Sequence, residues 1–278
     1  MKLLRSKKRI AVVVAFIVVV LVVSSLAYLK YDFDSKQTSF VSLVRNSPEA
    51  MQAFQNLSLT TPANAIVMSW WDYGRSIHDF GGRQAVVSNP SRDITWSFDA
   101  GQNAIASLEY QVFGSWDSTE KIHDVANALV LPENQSLSLM QKYGASYVMV
   151  FHKGDLDVRT GNTGLNDLPK FYAIAKIAGQ DWSQYVTPPT TCSTTSSCAY
   201  TLTSKAGNVT LLRLLFDDRY PPQHFTKVYD NPVAKIYRIN YPTAGGYASY
   251  VPFPSASVSS EPLQSQVVGY LWAPKRTV

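Results

Sequence analysis

The chain has 278 residues, 46% hydrophobic and 16% charged, which suits one large domain, or one domain with an appendage, around a real core. Its formal charge is +5, and Lys2, Arg5, Lys7, Lys8 and Arg9 supply five positive charges before residue 10. The remainder is close to neutral and carries no basic-aromatic stripe, which argues against nucleic acid as a partner.

Residues 10–29, IAVVVAFIVVVLVVSSLAYL, hold no charge. At about 1.5 Å per residue such a helix spans roughly 30 Å, the hydrocarbon thickness of a bilayer. The basic cluster before it predicts a cytoplasmic segment 1–9, a transmembrane helix 10–29 and an extracytoplasmic remainder. A cleaved signal peptide is the rival reading, although its apolar stretch is usually shorter. Residues 30–39 read as a polar linker.

From 40 to 56 apolar residues recur at helical spacing, interrupted at Ser47-Pro48. Ser47 reads as an N-cap, Pro48 as the first helical residue, and Glu49 falls in the first turn. Residues 65–69 (AIVMS) form a short buried strand by composition, and 84–88 a second. Helical patterns follow at 103–113, 119–129 and 134–143, the last closed by Gly144. Residues 146–151 (SYVMVF) read as a strong strand, and 167–178 as a helix ending before Gly179. Strands are expected at 208–216, 225–229 and 234–239, the last two as a hairpin around Asp230-Asn-Pro. The fold class is therefore mixed α/β. One N-terminal transmembrane helix leads into an extracytoplasmic α/β domain over 40–185. A disulfide loop and small antiparallel β unit cover 186–240, and an extended tail 241–278.

Cys192 and Cys198 stand in TTCSTTSSCAY. Outside the cytosol a disulfide is expected; a zinc site would need two more soft ligands, and none lies close in sequence. Asn56, Asn134 and Asn208 head Asn-x-Ser/Thr tripeptides, which fits an outside location. His78, His123, His152 and His224 show no ligand spacing. The pairs Asp32-x-Asp34 and Asp155-x-Asp157 offer hard oxygen ligands but suit solvated linkers equally.

The chemistry concentrates in Ser69-Trp-Trp-Asp-Tyr-Gly74. A hydroxyl donates one hydrogen bond and accepts two; an indole N–H only donates and an ionised carboxylate only accepts. Trp70, Trp71 and Asp72 thus supply the full complement of one serine or threonine hydroxyl. In a strand the two indoles would point to opposite faces, so convergence requires a turn or helix start at this point. The alternative is a wedge of core aromatics with Asp72 capping a helix.

Trp70-Trp71-Asp72-Tyr73-Gly74 resembles the signature of the oligosaccharyltransferase catalytic subunit. That family transfers a lipid-linked glycan to asparagine in Asn-x-Ser/Thr. A second motif, Asp167-Leu-Pro-Lys170-Phe-Tyr-Ala-Ile174, is similar to the Asp-x-x-Lys-x-x-x-Ile helix of the archaeal type. The resemblance covers roughly residues 10–240 and implies that Trp70, Trp71 and Asp72 hold the sequon hydroxyl. It implies further that Ile174 meets the threonine methyl, while Tyr73, Gly74, Asp167 and Lys170 support the pocket. On a helix, Asp167, Lys170 and Ile174 would share a face.

Arg75 departs from the family, which usually places an aromatic or apolar residue there. The family's other membrane helices, with the acidic residues that hold its divalent metal (Mg or Mn), have no counterpart in the sequence. No catalytic residue, metal site or cofactor is therefore expected in this chain, which is predicted inactive alone. The expected partners are a multi-span membrane protein with the catalytic helices, acceptor polypeptides containing Asn-x-Ser/Thr, and the membrane itself. The alternative function is a non-enzymatic cell-surface binding or structural module of a membrane assembly.

Overall fold

The computed structural model describes residues 2–94, 108, 111–152, 165–187 and 201–242. Helix α1, Lys2–Arg45, is one uninterrupted helix. Within it Val12–Asp34, 23 residues of mean hydropathy 2.9, is long and apolar enough to cross a membrane, and most of its side chains lie on the surface, Phe33 being buried. The chain expected as a linker at 30–39 stays helical. Within it Lys30 Nζ meets Asp34 at 2.6 Å, one turn on. Helix α2, Pro48–Thr60, restarts after a break; Ser47 Oγ accepts from Ala50 N at 3.4 Å and Pro48 opens the helix.

The outer domain is built on a five-stranded sheet in the order β2-β1-β3-β7-β6. Its strands are β1 (Ile66–Met68), β2 (Gln84–Ala85), β3 (Tyr147–Phe151), β6 (Phe225–Asp230) and β7 (Ala234–Ile239). β1 runs parallel to both β2 and β3, whereas β7 is antiparallel to β3 and to β6. All five residues of β3 are buried, as suits a strand covered on both faces. Helix α3 (Trp71–Asp79) connects β1 to β2, and α4 (Thr119–Val130) and α5 (Glu133–Lys142) precede β3. Gly144, at φ +64°, reverses the chain from α5 into β3 in a conformation that favours glycine. Helix α6 (Phe171–Ile177) follows β3, and a separate two-stranded ribbon pairs β4 (Val186–Thr187) with β5 (Thr201–Leu202).

Two expectations are corrected. The segment 208–216 is not a strand: Thr210–Leu215 forms helix α7. Its Leu211, Leu212, Leu214 and Leu215 are all buried, and a short apolar run of this kind satisfies strand and helix patterns alike. Tertiary contacts select the helix. Thr210 N and Oγ1 both donate to Leu131 O, at 3.2 and 2.7 Å, fastening its first residue to the end of α4. The second correction concerns 167–178, where the helix begins at Phe171 rather than Asp167. Asp167 is drawn onto β3 instead, donating its backbone N–H to Phe151 O at 2.8 Å, while the Asn166 side chain accepts from Leu168 N at 3.1 Å. An Asx turn of this kind competes with a helical start.

The hairpin β6–β7 is antiparallel as read, and through β7 it belongs to the main sheet. Cys192, Cys198, Asp155, Asp157 and the tail beyond 242 lie outside the described residues.

Candidate functional site

The stretch 69–74 forms the corner between β1 and α3. Ser69 Oγ donates to Met149 O on β3 at 2.8 Å, fixing the end of β1. Trp70 is extended, at φ −67° and ψ 150°, and α3 begins at Trp71. The helix start required for convergence is therefore present. The backbone changes direction between the two tryptophans, and their rings lie 3.9 Å apart at 31°. Gly74 follows from packing: a Cβ there would lie 2.1 Å from Val87 O and 2.5 Å from Ser88 Cα. Only glycine lets this turn of α3 rest on the backbone after β2.

Asp72 falls in the first turn of α3, where the helix dipole favours a carboxylate. Its Oδ2 meets Lys170 Nζ at 2.7 Å, with the lysine side chain 3% exposed. The same ammonium donates to Tyr73 Oη at 2.9 Å, across 97 residues of sequence. Tyr73 stacks on Phe151 at 3.9 Å and 16°. Burial, and then the Asp167 carboxylate beside it, push the Tyr73 phenol well above its ordinary range, so it stays neutral and donates. Asp167 Oδ2 accepts from Phe151 N at 2.8 Å. Burial pushes its carboxyl up to about 6, against the opposing pull of Lys170.

The structure thus brings together Trp70, Trp71, Asp72, Tyr73, Asp167 and Lys170 around the ends of β1 and β3. Asp167 and Lys170 reach the site from the turn before α6, not from a shared helix face. Ile174 lies one turn past Lys170, its N–H donating to Lys170 O at 3.1 Å, and its side chain is fully buried. Arg75 points away: it is exposed and pairs with Asp79 at 3.3 Å along α3.

Trp70 and Trp71 are 1% and 5% exposed, and neither indole Nε1 has a hydrogen-bond partner. A buried donor left unmade costs about 1–3 kcal/mol, so two together are costly unless a ligand satisfies them. Phe151, whose ring carries Tyr73 and whose amide holds Asp167, was read only as the end of a strand. Nothing local in the sequence distinguishes it from other core aromatics. Among the described residues no group of three His, Cys, Asp or Glu side chains is placed to hold a metal ion.

Residues 24–156 match a family model described as HaoA-associated protein HaoB. That match takes in β1, α3, β2 and β3 and ends before Asp167. Among curated proteins, the chain is 26% identical over 180 residues to the dolichyl-diphosphooligosaccharide–protein glycosyltransferase subunit stt3 of Schizosaccharomyces pombe. That alignment covers 59% of this chain and 20% of the relative. It is 28% identical over 128 residues to subunit STT3B of Oryza sativa subsp. japonica, covering 46% of this chain and 14% of that one. The chain therefore spans about a fifth or less of the curated relatives it matches. Solved structures with similarity include the C-terminal globular domain of oligosaccharyltransferase from Archaeoglobus fulgidus, at TM-score 0.40 and 17% identity, covering 69% of this chain and 98% of that one. The C. jejuni pglb C-terminal domain aligns at TM-score 0.42 and 9% identity, covering 69% and 99%.

Proposed function

We propose, from the premise that this chain is related to the C-terminal part of an oligosaccharyltransferase, that it serves protein N-glycosylation by recognising the acceptor sequon Asn-x-Ser/Thr. The observation that carries this reading is the pair of buried, unpartnered indole N–H groups beside the Asp72 carboxylate. A serine or threonine hydroxyl donates to Asp72 and accepts from Trp70 and Trp71, using every bond that the hydroxyl and the two indole N–H groups can make. Lys170 holds one oxygen of Asp72 and aims the carboxylate. Ile174 receives the threonine methyl. The rings are closed on one another in this structure, so acceptor binding displaces at least one indole.

Glycosyl transfer itself joins the asparagine amide nitrogen to the anomeric carbon of a lipid-linked glycan. In this reading the metal, magnesium or manganese, and the carboxylates that position those atoms sit on multi-span membrane segments outside this sequence. Residues 12–34 hold the domain at the membrane, with the N-terminus cytoplasmic. The test is binding of Asn-x-Thr and Asn-x-Ala peptides to the full chain, read by tryptophan emission. Preference for the threonine peptide, lost in Trp71→Ala, is expected; equal binding of the two would sink the reading. Isolation from native membranes should also bring down a multi-span partner.

The match to the HaoB model favours a second reading, a non-enzymatic module of a membrane assembly that keeps the fold without the peptide. In that case the indoles are core aromatics, and neither peptide changes their emission.

A further inference from the structure

The three Asn-x-Ser/Thr tripeptides all fall in described elements, and the fold treats them differently. Asn134 is the second residue of α5, and Ser136, two residues on, is fully buried. Asn208 ends the 3₁₀ turn Ala206–Asn208, and Thr210, also fully buried, opens α7. The two hydroxyls meet: Ser136 Oγ and Thr210 Oγ1 lie 2.9 Å apart, across 74 residues of sequence. Both also reach Leu131 O, at 2.9 and 2.7 Å. Each hydroxyl carries one proton, so two protons serve three contacts and none is left over for a ligand. The two asparagines are the reverse case. Both are exposed, and neither carboxamide makes a hydrogen bond among the described residues. The fold accounts for the serine and the threonine but gives the asparagine side chains at 134 and 208 nothing to hold. Asn56 differs, since its Oδ1 accepts from Thr60 Oγ1 at 3.2 Å.

We propose that Asn134 and Asn208 are themselves glycan acceptors, and that they are modified before this domain folds. In the transfer the carboxamide nitrogen loses a proton and bonds to the anomeric carbon of a lipid-linked glycan. The bond from that carbon to the lipid phosphate breaks, and the phosphate leaves. The catalyst is a complete oligosaccharyltransferase in the same membrane. Folding closes both acceptors to it. Successive residues of an α-helix turn by about 100°, so Asn134 and Ser136 point to nearly opposite sides of α5. A site that grips the hydroxyl cannot then hold the carboxamide as well. Thr210 is fixed further by its backbone N–H, which donates to Leu131 O at 3.2 Å. In the unfolded chain both hydroxyls are free to be gripped. Once attached, a glycan is carried on an exposed side chain and stays in solvent, as so bulky a group must. Because the paired hydroxyls hold the two tripeptides together, both glycans shield one patch where α5 and α7 begin. The proposal rests on the reading of α1 that puts the domain outside; it does not need the hydroxyl clamp of this chain to act.

The experiment isolates the full chain from its native membranes and weighs the proteolytic peptides that carry 134 and 208. A glycan mass on each is expected, and Asn134→Gln and Asn208→Gln, which remove no contact of the fold, should each lose one. Bare asparagines at both positions, in a chain whose outer domain is cut by protease added to intact cells, overturn the proposal alone. Bare asparagines in a domain protected from that protease remove the orientation of α1 and the proposal with it. A glycan at one position only overturns the proposal for the other. The order of events is tested with full chain made in a host without N-glycosylation. The folded chain is offered to a purified oligosaccharyltransferase and a lipid-linked oligosaccharide. Beside it stands Val148→Asp, whose charge in the middle of β3 keeps the chain unfolded. Transfer to the unfolded variant and none to the folded chain is expected. Equal transfer to both overturns modification before folding, and transfer to neither overturns the acceptor assignment.

Discussion

Two ion clusters lie on one sheet and are finished differently. On β6 and β7, Asp217 Oδ1 meets Lys235 Nζ at 2.6 Å and Oδ2 meets Lys227 Nζ at 2.8 Å. Lys235 also donates to Leu215 O at 3.0 Å, and Lys227 reaches Asp230 at 2.7 Å. Burial would push the Asp217 carboxyl up, but the hydrogen bonds from Lys227 and Lys235 outweigh it and bring it to about 2. Beside β1 and β3, one ammonium, Lys170, faces two carboxylates, Asp72 and Asp167, and two indole N–H groups stay unpartnered. The first cluster is saturated and its acid is depressed; the second is short of partners and its buried acid is raised. Saturation marks a cluster that holds the fold together. The deficit by the indoles marks a place where something else is expected to bind.

The comparison breaks first at Asp217. Asp217→Ala leaves Lys235 buried without its anion, which should cost about 4 kcal/mol, read as a lower midpoint in chemical denaturation. Discrimination between threonine and alanine peptides should survive under native conditions. If discrimination vanishes while the fold persists, the two clusters are not independent.

A smaller effect sharpens the contrast through pH. Asp167 has a folded value of about 6 against an ordinary 3.8. Its contribution to stability is therefore full below pH 3.8 and is lost as the pH rises through 6, a change of about 3 kcal/mol. Asp217 runs the other way: held near 2, it contributes above 3.8, and that contribution disappears as the pH falls through 2. Asp167→Asn should flatten the stability profile between pH 4 and 6 and leave the acid limb intact. A variant that keeps the whole slope would show that another group produces it.

The smallest effect has opposite signs in its two readouts. Trp71→Phe keeps a ring and deletes one unpartnered N–H. Peptide affinity should fall by about 1 kcal/mol, measured by calorimetry, and thermal stability should hold or rise. A drop in stability with unchanged affinity would make the indole part of the core only.

Much of the fold was legible where the signal was local. Ser47-Pro48 marks its helix start with a side-chain acceptor and a preset φ, and Gly144 and Gly179 mark helix ends with φ of +64° and +69°. The segment SYVMVF is a buried strand whatever surrounds it. The site was legible as a donor–acceptor count and as two motifs. Their meeting was not, because the Lys170–Tyr73 bond closes 97 residues of chain, and no local preference encodes such a contact. The same limit misassigned 208–216, where four leucines and a threonine fit either element until Leu131 O fixed Thr210.

The sequence by itself determined the apolar span, the caps, the short strand before Trp70 and the residue types that could grip a hydroxyl. These depend on side-chain chemistry, on chain length, or on φ and ψ within one turn. Only the tertiary structure decided that Lys170 would hold Asp72, that Asp167 would leave its helix for β3, and that both indoles would be buried without partners. Those outcomes depend on which distant backbone groups compete for the same hydrogen bonds, and on how much water the assembled sheet excludes.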